Sequence, residues 1–325
     1  MAKKNYTVDS LRLLGAFCVV VLHSPLDALP NAIALSLRLG SRWAVPFFFL
    51  VSGYFAARSL KPGLEINLGR AIGKLAAVYF VANVIYALFF VVDLDPKTNL
   101  NLSFIKLLVG QAGHLWYISS AIMGLILLQY FASRYTDGVL LVVALFFFGV
   151  ILAGESYSTL TGFHLQYEVA RYLTSIPFLF GGFLLARHEG VLRYFPTWAC
   201  LLIAGVGLGM ELSEAVLLYK KTGAGPHNQE MLIGTAVLAL GIFCTSLVLR
   251  GPHSNQLALW GSQYSLLIYL YHVLVITVLF SILHLGEHNR VFYYVSPVIS
   301  FSVTALFIKI ISKTTPSLYR IISGG

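Results

Sequence analysis

Asp9-Ser10-Leu11-Arg12-Leu13-Leu14-Gly15-Ala16-Phe17-Cys18-Val19-Val20-Val21-Leu22-His23 decides the fold, because this run is apolar enough to cross a bilayer yet carries a guanidinium and an imidazole in register. At about 100° per residue and ~1.5 Å rise, eleven positions return a helix to within ~20° of its start, about 16 Å along the axis. Arg12 and His23 therefore share one face, Ala16 and Val19 fill the stripe between them, and Asp9 lies three residues before Arg12 on nearly the same side. A lipid-facing helix has no use for such a stripe. Ionisable groups within a membrane are costly, face a bundle interior or a wet cavity, and mark function by default.

The rest of the chain agrees with a membrane setting. Its 325 residues are 58% hydrophobic and 11% charged, with a mean hydropathy of +0.81, outside the range of a soluble globular domain. Lys3-Lys4 before an apolar run resembles a secretory signal, but Asp9 and Arg12 interrupt it and no A-x-A site follows, so the segment reads as a retained first span. Cys18, Cys200 and Cys244 lie inside apolar stretches, which suggests neither a disulfide framework nor a metal cluster. The net charge of +9 has no soluble basic domain to carry it, so nucleic acid is not an expected partner and the cations serve orientation instead.

At about 20 apolar residues per crossing, ten spans are expected, centred near Phe17, Leu50, Ala82, Gly124, Phe146, Phe180, Gly207, Leu238, Tyr271 and Thr304. The segment 154–171, with Glu155, His164, Glu168 and Arg171, reads as a loop or re-entrant turn. Asp95-Pro96 and residues 223–226 read as turns. A cytoplasmic N-terminus puts Arg58, Lys61, Arg70 and Lys74 in one inner loop, with Arg134, Arg187, Arg193, Arg250, Lys313 and Arg320 also inside. Arg38, Arg42, Lys97, Lys106, Arg171, Lys220, Lys221 and Arg290 fall outside, a modest positive-inside bias. Residues 1–325 read as one all-α polytopic membrane domain, without a soluble domain or an internal repeat.

Four landmarks resemble the membrane-bound acyltransferase 3 family, which O-acylates bacterial surface and secreted polysaccharides. They are Arg12 followed by His23 after ten residues; Val45-Pro46-Phe47-Phe48-Phe49-Leu50-Val51-Ser52-Gly53-Tyr54; His114-Leu115-Trp116-Tyr117; and Tyr264-Ser265 through Ile268-Tyr269-Leu270-Tyr271-His272. They occur in the family's order. The resemblance implies a bundle of ten helices in the bacterial inner membrane that takes a short acyl group, acetyl above all, from cytoplasmic acyl-CoA and delivers it to a hydroxyl of a glycan or lipid-linked glycan. The chain departs from many members in lacking an SGNH-type domain, leaving room for a separate extracytoplasmic transfer partner, and in having Leu where Gly often flanks the Arg.

The residues carry their own readings beside this one. An imidazole suits removal of a hydroxyl proton during acyl transfer, so His23 is the expected general base, by direct transfer or through an acyl-histidine; its bland alternative is a hydrogen bond to a loop carbonyl. Arg12 either contacts CoA, pairs with Asp9 to fix the site, or snorkels to headgroups; Asp9 either joins that pair or caps the helix. His114 and Trp116 are expected to shape a substrate pocket, or to belong to an interfacial belt. His272 is a polar wall or a helix-to-helix bond. Glu168 and Arg171 bind acceptor or pair with one another. Arg58, Lys61, Arg70 and Lys74 attract the phosphates of CoA, Arg70 foremost, or only anionic lipid. Gly205, Gly207 and Gly209 read as close-packing positions, and no metal-ligand set is expected. A transporter lined by the same polar stripe is the rival function.

Overall fold

The computed structural model describes residues 5–26, 29–59, 67–91, 109–192, 194–223, 225, 229–249, 255–289 and 291–324. Lys61, Lys97, Lys106, Arg193, Arg250, Arg290, the Asp95-Pro96 turn and part of the turn at 223–226 lie outside the described residues.

Each expected centre falls on a helix. α1 is Tyr6–His23, α2 Asn31–Leu39, α3 Ala44–Arg58, α4 Gly69–Val91, α5 Trp116–Arg134, α6 Asp137–Gly154 and α7 Tyr167–Arg187. α8 is Thr197–Thr222, α9 Ile233–Val248, α10 Gln256–Ile276, α11 Ser296–Thr314 and α12 Pro316–Ser323. Among the described residues nine helical runs are long and apolar enough to cross a membrane, with α2 and α3 counted together, and the tenth expected span is the shorter, 16-residue α9. Mid-helix side chains such as Phe80, Val142 and Phe146 stand outward and exposed, as the sides of a bundle in hydrocarbon must. The chain is a polytopic, all-helical membrane protein.

The segment 154–171 departs from its expected form. Its first two thirds are a loop, with one short turn at Ser158–Thr161; helix α7 has begun by Tyr167 and carries Glu168 and Arg171 in its first two turns. Asp9 does not cap α1 either. Asn5 does so, its side-chain oxygen accepting the Thr7 and Val8 amides at 3.1 and 3.2 Å, which satisfies donors a helix start leaves open.

Two helix pairs fix the site. α3 and α7 meet backbone to backbone, where a Cβ on Gly53 would stand 1.9 Å from the Leu179 carbonyl oxygen and one on Gly182 would stand 2.0 Å from that of Leu50. α1 and α10 run side by side in the same direction, touching at Gly261, where a Cβ would lie 1.7 Å from the Asp9 carbonyl oxygen. Of the three mid-span glycines on α8, Gly207 packs against the Leu238 backbone of α9, while Gly205 and Gly209 face open space.

Candidate functional site

His23, the last residue of α1, points into an open recess and is exposed there. His114, in the single turn Gly113–Leu115 before α5, and His272, three-quarters along α10, are buried. The three rings converge: centroids are 5.8 Å apart for His23 and His114, 5.1 Å for His23 and His272, and 5.2 Å for His114 and His272. Among the described residues no three His, Cys, Asp or Glu side chains are arranged to hold a metal ion.

Backbone carbonyls fix which ring nitrogens carry protons. His272 Nδ1 lies 3.1 Å from the Ile268 oxygen and 2.7 Å from that of Tyr269; both are acceptors, so Nδ1 bears the hydrogen and the neutral ring's lone pair is on Nε2. That Nε2 is buried and has no hydrogen-bond partner. His114 Nε2 donates to the Leu270 oxygen at 2.9 Å, which also accepts the Tyr86 hydroxyl at 2.9 Å, and the Tyr269 hydroxyl donates to the His114 oxygen. Two imidazoles are thus tied to backbone, and the third is accessible.

Arg12, at the other end of the stripe, pairs with Asp9 at 3.2 Å, and both lie against the start of α10. A cavity of about 470 Å³ opens there, lined by Arg12, Lys74, Ser52, Tyr117, Ser265 and Tyr269 with apolar neighbours. A second cavity of about 270 Å³ opens at the His23 end, lined by His23, Trp116, Arg38, Arg42, Glu155 and Glu230, with Arg171 and apolar side chains completing the wall. What separates them is a layer of rings: Tyr117 packs on Tyr269 at 5.0 Å, and Tyr269 on His114 at 5.8 Å and His272 at 6.2 Å.

Trp116 therefore lines the same recess as His23, whereas His114 and His272 stand behind His23 and line neither cavity. Glu168 is exposed outside the recess. Arg171, in the recess wall, turns from Glu168 to make a two-point contact with Glu230, at 3.1 Å from Nε and 2.9 Å from Nη2, and stacks on Tyr167 and Trp116. Of the cations at the Arg12 end, Lys74 reaches the cavity. Arg58 is held by Glu189 and the Tyr54 hydroxyl, and Arg70 is exposed beyond the lining.

Arg38, Arg42, Glu155 and Glu230 were not singled out by sequence. Glu155 accepts the Glu230 and Met231 amides at 2.6 and 2.8 Å, Glu214 accepts those of Ile233 and Gly234 at 2.9 Å each, and together they anchor the segment leading into α9. Burial pushes the Glu155 carboxyl above its ordinary range, against the opposing pull of the Ser156 hydroxyl and those two amides. Their acidic character and Glu155's place beside a span were the only signals available.

A family model described as an acyltransferase domain, that of the acyltransferase 3 family, matches residues 5–312. An amino-acid racemase of Enterococcus faecalis is 23% identical over 307 residues, 85% of this chain and 41% of that protein. A serine/alanine racemase of Enterococcus gallinarum is 26% identical over 290 residues, 79% of this chain and 40% of its own. Another match to an amino-acid racemase of Enterococcus faecalis is 32% identical over 157 residues, 46% of this chain and 22% of the relative. The chain spans about two fifths, or less, of the length of these curated relatives. No solved structure matches it.

Proposed function

This chain belongs to the acyltransferase 3 family, whose model covers nearly all of it, and from that premise we propose that it moves a short acyl group, acetyl above all, from cytoplasmic acyl-CoA to a hydroxyl of a cell-surface or secreted glycan. That it is a membrane acyltransferase follows from the family and the helices; donor, acceptor and residue roles are our reading. The observation that carries it is His23 at the mouth of a polar recess, backed by His272, whose only free ring nitrogen is an acceptor.

In this mechanism His23 takes the hydroxyl proton as the acceptor oxygen attacks the thioester carbonyl carbon. The C–O bond forms and the carbonyl pair moves onto oxygen; collapse breaks the C–S bond, and the departing thiolate takes the proton from the imidazolium. Such proton transfer contributes about 10²–10⁴-fold. His272 acts as a positioning residue: with Nδ1 committed to backbone, its Nε2 offers a lone pair to an N–H of His23 and leaves the other His23 nitrogen as base. Arg12 and Lys74 mark the donor cavity, since guanidinium and ammonium groups suit the phosphates of CoA. The acyl end then reaches His23 past Tyr117 and Tyr269.

Racemase names describe relatives much longer than the matched portion, and no racemase chemistry is carried over from them. The two cavities at opposite ends of one bundle also favour a second reading, a transporter with the ring layer as its barrier.

Release of free CoA from acetyl-CoA by the purified protein in liposomes separates the two. Wild type is expected to release CoA, and His23→Ala to lose about 10²-fold or more of that rate while keeping its thermal midpoint. Near-wild-type release by the variant removes His23 from the reaction; solute flux without CoA release establishes the transporter.

A further inference from the structure

Resting on the acyltransferase reading of the His23 recess, we propose that Tyr117 sets which acyl groups the donor can carry, its ring occupying the space that a tail longer than acetyl needs beside the reacting carbon. The two cavities are close neighbours. Trp116 lines the His23 recess and the next residue, Tyr117, lines the Arg12 cavity, so the first turn of α5 straddles the boundary. α3 straddles it too, with Val45 and Pro46 in the recess wall and Phe48 in that of the other cavity. Between the cavities lies the layer of rings formed by Tyr117, Tyr269, His114 and His272.

Three of these four rings are tied to the backbone. His114 and His272 each hold carbonyl oxygen through a ring nitrogen, and the Tyr269 hydroxyl donates to the His114 carbonyl. Tyr117 is held by side chains instead. Its hydroxyl interacts with Ser52, whose own hydroxyl donates to the Phe48 carbonyl at 2.8 Å, and its ring packs on Phe49 at 4.5 Å, Tyr269 at 5.0 Å and Phe48 at 6.2 Å. Tyr117 is therefore the ring that can turn without breaking a backbone hydrogen bond, and the one that yields to a thioester arriving from the Arg12 side. It cannot turn far, because Phe48, Phe49 and Tyr269 are themselves buried and a close-packed interior has few voids to receive it. A methyl group beside the carbonyl carbon asks for little room. Each further methylene has to share the layer with Tyr117 or enter the recess, whose volume of about 270 Å³ lies at or below the lower end of the range for small-molecule sites and has to hold the acceptor. A packed apolar site discriminates by about 10–200-fold for one extra methylene.

The test measures release of free CoA from acetyl-, butyryl- and hexanoyl-CoA by the full chain in liposomes, and calorimetric binding of the unreactive thioethers S-ethyl-CoA and S-hexyl-CoA to the full chain in nanodiscs. Wild type is expected to turn over butyryl-CoA about tenfold or more slowly than acetyl-CoA, and to bind S-ethyl-CoA more tightly than S-hexyl-CoA by about tenfold or more. Tyr117→Phe keeps the ring and should keep both preferences. Tyr117→Leu and Tyr117→Ala should narrow or reverse them, Ala the more; thermal midpoints show whether each variant folds, and if Ala does not, Leu decides. A flat chain-length profile in wild type, or one left unchanged in the folded Leu or Ala variant, would overturn the proposal. CoA release with such a flat profile defeats the role of Tyr117 alone. A thioether preference that is lost in the variants, without CoA release from any donor, defeats the acyltransferase reading and leaves Tyr117 in its role; binding of neither thioether defeats both.

Discussion

His272 and His23 are chemically the same side chain, and what separates their roles is the backbone around them. Two carbonyls hold His272 Nδ1, so its ring cannot turn without losing those bonds in a buried place, where unmade hydrogen bonds cost the most. His272→Asn keeps an amide donor near the position of Nδ1 for the same carbonyls and removes the Nε2 lone pair. It is expected to lower kcat for CoA release by about 10-fold or more with the KM for acetyl-CoA unchanged, as measured by initial rates in liposomes. A fall confined to KM would make His272 a substrate contact instead. Arg12 and His23 were legible because one helix sets their relation and the period of a helix is known. The acids and guanidiniums of the recess were not, since Arg171 and Glu230 are 59 residues apart in sequence and no local period brings them together. Glu168, the near partner at three residues, lost Arg171 to Glu230 for the same reason.

Helix positions were readable from apolar run length, but which glycine mattered was not. Gly207, Gly209 and Gly261 look alike in sequence; only contact with a second helix distinguishes them. Gly261→Ala puts a methyl group into the Asp9 carbonyl, forcing α10 from α1, and backbone on backbone leaves no rotamer to yield. We expect a loss of about 1–3 kcal/mol or more, seen as a lowered thermal midpoint, together with slower CoA release as His272 moves from His23. Gly209→Ala meets nothing within 4 Å and is expected to be neutral or to gain up to about 1 kcal/mol of helix propensity. Equal midpoints for the two variants would contradict the close approach. The end of α6 adds a pH term at element scale. Glu155, whose carboxyl is raised by burial, is neutral in both folded and unfolded chains in strong acid, so it carries no penalty there. As pH rises above the ordinary value of 4.5 toward the raised folded value, the unfolded chain ionises first and stability declines, then levels off. The pH-dependent loss of thermal midpoint above about 4.5 should be smaller in Glu155→Gln than in wild type.

At the scale of the whole molecule, the charges inside the recess change how orientation is read. Sequence placed Arg38, Arg42 and Arg171 among the loop cations opposing a cytoplasmic N-terminus and so made the bias modest. The structure puts all three in the wall of the His23 cavity, part of the folded interior of the bundle end, while the positive-inside rule counts cations in short loops near span ends. Among the described residues, Lys220 and Lys221 then remain at the His23 end, against Arg58, Arg70, Lys74, Arg134, Arg187, Lys313 and Arg320 at the Arg12 end. The bias thus strengthens toward a cytoplasmic Arg12 end, which is also where the donor reading needs acyl-CoA to enter. Cys18, Cys200 and Cys244 are buried, giving a quiet background for labelling. Tyr135, at the Arg12 end, and Phe163, at the His23 end, are 45% and 46% exposed. In intact cells stripped of outer barriers, a membrane-impermeant maleimide should label Phe163→Cys at once and Tyr135→Cys only after permeabilisation. The opposite pattern would place Arg12 and Lys74 outside, out of reach of cytoplasmic acyl-CoA, and the donor would have to enter beside His23 instead.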